Sequence, residues 1–118
     1  MPNRRLLRVA DQLREELSDI IRSTVHDPRV DGRDFTITRV DVSADLAHAK
    51  VQVSTLTTGK ERDALIEGLN HGTGFIHREL MSRVRLKNVP AMVFQYDDGL
   101  VKSQRIAEIL QTLAREKG

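Results

Sequence analysis

The chain has 118 residues, with 19 Lys and Arg against 17 Asp and Glu, and is long enough to bury a core as one domain spanning residues 1–118 without covalent staples. It has no cysteine, which excludes a disulfide framework, a thiol nucleophile and a thiolate metal site. No run approaches the roughly 18 apolar residues of a membrane span, and the N-terminal "MPNRRLLRVADQL" lacks the apolar stretch of a signal peptide, so a soluble, cytoplasmic protein is expected.

The net charge of +2 says little about partners, but its distribution says more. Residues 74–90, "GFIHRELMSRVRLKNVP", carry four basic residues and one acidic, a concentration able to attract phosphate whatever the rest of the chain sums to. The same residues could equally be a solvated helix face.

Apolar residues from Leu6 to Val25 recur mostly every three or four positions, which predicts an amphipathic helix of about five turns. Its polar side mixes Arg8, Arg14 and Arg22 with Asp11, Glu15, Glu16 and Asp19, a pattern better suited to water than to phosphate. The helix should end before "HDPRVDGRD", where Pro28 biases Asp27 away from helical backbone and Gly32 permits a turn. "FTITRVDVS" alternates as a strand, but Phe35 and Ile37 differ in parity from Val40 and Val42, which places a bulge near Thr38 or Arg39. "ADLAHAKVQVSTL" gives a second strand with Ala49, Val51 and Val53 on one face. The short link through Ser43, Ala44 and Asp45 predicts antiparallel pairing.

Helical spacing then covers Leu65, Ile66 and Leu69, and resumes at Phe75, Ile76, Leu80, Val84 and Leu86. Between the two stretches stand Gly72 and Gly74, so two helices joined by a bend are expected, the unit ending at Asn88 and Pro90. "AMVFQYDD" reads as a third strand, and "LVKSQRIAEILQTLAREKG" as a final helix capped at Ser103. Three strands with helices make a two-layer α+β domain.

No catalytic arrangement emerges. Of His26, His48, His71 and His77, the last two are six apart across the bend, which is not the helical ligand spacing of four. Asp97 and Asp98 follow a strand end and suit a turn. Ser43 near Asp45 has no histidine tied to it, and "GLNHGTG" lacks the lysine of a nucleotide-binding loop. No metal, cofactor or catalytic residue is expected.

The glycine pair suits an interaction site. A helix starting near Thr73 or Gly74 would present main-chain donors to an anion, and Arg78, Arg83, Arg85 and Lys87 would extend the attraction. Close packing of helix on sheet is the competing reason for glycine. All four aromatics, Phe35, Phe75, Phe94 and Tyr96, fall at plausible core positions, so contact with structured RNA by shape and phosphate is easier to defend than stacking on bases.

Several stretches, "HDPRV" (26–30), "VDVSADLAHAKVQVSTL" (40–56), "GTGFIHREL" (72–80), "RVRLKNVPAMVFQYDDGL" (83–100) and "RIAEILQTL" (105–113), together resemble the bacterial ribosome-binding factor A family. The resemblance implies a type II KH-like fold whose usual GxxG loop is replaced by a helix-kink-helix around an Ala-x-Gly sequence. Here Gly72 takes the alanine position and Gly74 matches the glycine, a departure expected to deepen flexibility at the kink and leave the fold intact.

It also implies a noncatalytic assembly factor that binds the small (30S) ribosomal subunit and its 16S ribosomal RNA, assists late maturation and 5′ end processing, and supports growth in the cold. Neither DNA nor a membrane is an expected partner, and a monomer is expected. The implied RNA-binding residues are Arg78, Arg83, Arg85 and Lys87, with Gly72, Thr73 and Gly74 at the kink and Arg29 in the loop match, where Asp27 and Pro28 shape the helix exit. Many relatives carry longer basic tails; with the sequence ending at Gly118, a tail contribution is expected to be small. The alternative is a general KH-like RNA-binding module not dedicated to ribosome assembly.

Overall fold

The computed structural model describes residues 4–85, 88–98 and 111–113. Its elements are α1 (Arg4–Thr24), β1 (Thr36–Val42), β2 (His48–Ser54), α2 (Gly59–His71), α3 (Thr73–Arg83) and β3 (Ala91–Tyr96). The expected final helix lies mostly outside the described residues; 111–113 are helical.

The three strands form one sheet in the order β1-β2-β3, with α1 on β1 and both later helices on β3. α1 buries Leu13, Leu17, Ile20 and Ile21 against the sheet, following its apolar spacing. It ends where expected, and the turn that follows places Gly32 at φ +72, a conformation that costs glycine least.

β1 and β2 pair antiparallel, and the register slips between Ile37, opposite Val53, and Arg39, opposite Gln52. Thr38 is therefore the extra residue of the expected bulge. The slip resets the alternation so that Ile37 and Val40 both enter the core. Thr38 Oγ is also used: it donates 2.6 Å to Asp97 Oδ2, tying β1 to the end of β3 across the intervening strand. In the β1–β2 connection, Asp45 Oδ1 accepts from Ser43 Oγ at 2.7 Å and from the Ala47 N–H at 3.0 Å. Ser43 and Asp45 thus build a turn, and they hold Leu46 at φ 61, a left-handed backbone that a bulky side chain rarely adopts.

β3 runs parallel to β2, which the α2–α3 crossover makes possible. Ala91 N–H bonds to Ala47 O and Asp97 N–H to Val53 O, so by alternation the main-chain groups of Met92, Phe94 and Tyr96 face the outer edge. Asn70, at the end of α2, closes the middle of that edge. Its Nδ2 donates to Phe94 O at 2.9 Å and its Oδ1 accepts from the Phe94 N–H at 2.8 Å. A side-chain amide here stands in for a neighbouring strand, and it fixes the α2 terminus on the sheet two residues before Gly72.

Candidate nucleic-acid interface

The break between α2 and α3 is a single residue wide. Gly72 has φ −88 and ψ 4. Its N–H still reaches Gly68 O and Leu69 O, both at 3.2 Å, and its carbonyl accepts from the Ile76 N–H at 3.0 Å. Thr73 Oγ donates to Asn70 O at 3.0 Å, a carbonyl that a backbone N–H at the end of α2 also reaches. The expected bend is at Gly72, and Gly74 lies inside the first turn of α3.

Neither glycine is imposed by the fold. A Cβ on Gly72 would meet its nearest atoms at 3.7 Å, an ordinary contact, so the alanine of the family pattern fits there. A Cβ on Gly74 would meet nothing within 4 Å. Beside Gly74 is a cavity of about 280 Å³ lined by Thr73, Gly74, His77, Ala91 and Met92. His77 Nε2 lies 2.9 Å from Val89 O; a carbonyl only accepts, so this nitrogen carries the proton and pins the strand entry to α3.

The glycine that packing does require is Gly68, which the sequence pattern did not single out. A Cβ there would come within 3.0 Å of Val30 Cγ2 and 3.1 Å of Arg29 Cβ. The Asp27–Val30 turn therefore rests directly on α2.

The basic residues expected at the site divide into two groups. Arg78 on α3 and Arg85 just beyond it are exposed and have no ion pair among the described residues. Lys87 lies outside the described residues. α3 ends at Arg83, earlier than the spacing suggested, with Val84 in extended backbone, so Arg78 and Arg85 do not share a helix face. Arg83 is turned toward carboxylates: its guanidinium bonds Asp19 and has Glu16 at 3.8 Å and Glu79 at 4.0 Å, clamping α3 to α1. The Asp19 hydrogen bond raises its pKa further.

Arg29 makes a forked pair with Asp27, Nε to Oδ1 at 3.0 Å and Nη2 to Oδ2 at 2.8 Å, with Glu67 at 3.5 Å. The Asp27 carboxylate also accepts from the Arg29 N–H at 2.9 Å. The side-chain bonds from Arg29, then its backbone N–H, hold Asp27 at about 2. A folded pKa below the unfolded value of about 3.9 means that the pair's stabilisation is complete above that value and is lost as pH falls toward 2. Asp27→Asn should therefore lower the melting temperature at pH 7 and make less difference at about pH 2.5. Equal differences at both pH values would show that the charge of Asp27 contributes nothing.

Phe75 departs from expectation. It is 38% exposed, because the core stripe Leu65, Leu69, Ile76 and Leu80 is centred on its neighbour, and Phe75, about 100° round the helix from Ile76, falls at the edge of that stripe. The i,i+4 step from Ile76 to Leu80 was the available signal.

Among the described residues no group of three or more His, Asp or Glu could hold a metal, and no helix is long and apolar enough to cross a membrane. The mixed three-stranded sheet covered by helices, with its one-residue kink, defines a KH-like α+β domain. The family model for ribosome-binding factor A matches residues 5–110, and the chain belongs to that family, which is noncatalytic. It is 40% identical over 113 residues to the ribosome-binding factor A of Staphylococcus epidermidis, covering 96% of both chains. To that of Halothermothrix orenii it is 40% identical over 117 residues, covering 99% of this chain and 94% of the relative. The solution NMR structure of a Thermotoga maritima protein superposes with TM-score 0.70 at 29% identity, covering 80% of this chain and 89% of that one. A Thermus thermophilus ribosome binding factor A, fitted as a homology model into a cryo-EM map of its complex with the 30S subunit, shares the fold with TM-score 0.60 at 21% identity, covering 75% and 91%.

Proposed function

We propose that the protein is a cytoplasmic, monomeric assembly factor that binds the small ribosomal subunit and assists late maturation of 16S ribosomal RNA, including processing of its 5′ end, with its greatest use in the cold. Membership of the ribosome-binding factor A family supports the ribosomal role, as does the Thermus thermophilus relative placed on the 30S subunit.

The observation that carries the site is Gly74. It is exposed, and the space its side chain would occupy is open, although glycine in a helix costs about 1 kcal/mol against alanine. A phosphate backbone can approach the main chain there. Arg78, one turn on, and Arg85, without an ion pair among the described residues, are placed to meet phosphates, and Lys87 completes the proposed set. Gly72 and Thr73 shape the approach, while Arg29 and Arg83, already paired with carboxylates, contribute less. The protein acts by binding one arrangement of immature RNA better than another, since only differential affinity can shift a conformational equilibrium.

Cosedimentation with purified small subunits tests this. Immature subunits should retain more protein than mature ones, and three phosphate contacts should give log K a slope of about −2 to −3 against log salt. Short single strands competing as well as whole subunits would instead indicate a general RNA-binding module.

A further inference from the structure

The exposed ring of Phe75 has no role in the fold just described. The other three aromatics are engaged: Phe94 is in the core, Phe35 is buried with the Arg22 guanidinium 5.4 Å from its ring centre, and Tyr96 lies under Arg62 at 4.4 Å. Phe75 stands in the first turn of α3, on the solvent side of the buried Ile76.

Its surroundings are chemically specific. Gly74, immediately before it, leaves open space. Arg78 follows three residues later, the spacing that brings side chains together on a helix. Met81, 60% exposed, lies on the same stripe as Gly74 and Arg78, at helix positions i, i+4 and i+7. The nearest acid on this helix, Glu79, lies within reach of Arg83. Two adjacent residues thus break a local rule, a helical glycine where alanine would fit and a large ring left partly in water, and rule-breaking without structural return marks functional positions.

An open main chain, an aromatic face and a guanidinium without an ion pair among the described residues together match one kind of ligand, a nucleotide whose base is out of its stack: the ring receives the base and Arg78 the phosphate. A protein partner is a poorer match, because docking on the ring alone would leave the cation without a purpose. We propose that Phe75 is a stacking platform for a single unpaired base of the bound RNA. This rests on the RNA reading of the site and adds base contact to what composition alone suggested was recognition by shape and phosphate.

The test compares wild type, Phe75→Leu and Phe75→Trp for equilibrium binding to purified immature small subunits, with melting temperatures measured alongside. Leucine keeps apolar bulk without a π face, and tryptophan restores the face. Phe75→Leu should bind about tenfold more weakly and Phe75→Trp like wild type, with all three melting within a few degrees of one another. If wild type binds and Phe75→Leu binds equally well, stacking is overturned and the RNA reading stands. Equal weakening in both variants also overturns stacking, since a ring face should have rescued it. No binding by wild type overturns both.

Discussion

Gly68→Val is expected to destabilise the domain by about 2–3 kcal/mol, the upper part of the range for forcing bulk into a packed site, and to lower its melting temperature by about 10 °C. The first added carbon already meets Val30 Cγ2 at 3.0 Å and Arg29 Cβ at 3.1 Å. The approach to Arg29 is decisive, because a Cβ cannot rotate away and moves only with its main chain. That main chain is held: Val30 and Asp31 N–H both bond Asp27 O at 2.8 Å, the Arg29 N–H bonds Asp27 Oδ1, and Val30 is buried. Relief would require lifting the whole turn from α2. Gly74→Val is the control. It introduces the same side chain into the same crossover where nothing lies within 4 Å, so thermal denaturation should show little loss, and no difference between the two variants would contradict the close approach at Gly68.

Much of this fold was legible because burial wrote a period into the chain. The spacing of Leu13, Leu17, Ile20 and Ile21 marked α1, and the parity change around Thr38 marked not only β1 but its bulge. The kink was legible because the apolar period resumed after Gly72. What the sequence did not reveal depends on the approach of distant residues. Gly68 looks like any isolated helical glycine until Arg29 is placed against it, and Asn70 looks like a polar helix residue until the edge of β3 is beside it. For the candidate site, the pattern marked a region but not the environment of each side chain. A basic residue in sequence carries no label for its partner, so Arg83, held among three carboxylates, could not be told from Arg78, which pairs with none among the described residues. Phe75 reads as a core position because it stands in the same apolar spacing as Ile76, and the spacing alone does not say which of the two neighbours the stripe is centred on.

That difference between the arginines yields the second large effect. A variant combining Arg78→Ala, Arg85→Ala and Lys87→Ala is expected to bind small subunits roughly a hundredfold more weakly, at about 1 kcal/mol for each positive charge withdrawn from a phosphate, with the salt slope of about 2 to 3 largely lost. Its melting temperature should change little, because Arg78 and Arg85 are exposed and hold no ion pair among the described residues. Arg83→Ala should behave in the opposite way. Removing that guanidinium leaves Asp19, Glu16 and Glu79 facing one another between α1 and α3, so it should lower the melting temperature while the salt slope stays near that of wild type. Sedimentation binding across a salt series, read beside thermal denaturation, separates the two. If the triple variant keeps wild-type affinity and slope, phosphate must be met elsewhere, and the basic residues of α1 with Arg29 become the next face to test. If Arg83→Ala weakens binding and flattens the slope without losing stability, its carboxylate partners release it to RNA on binding, and the clamp between α1 and α3 is made only in the free protein.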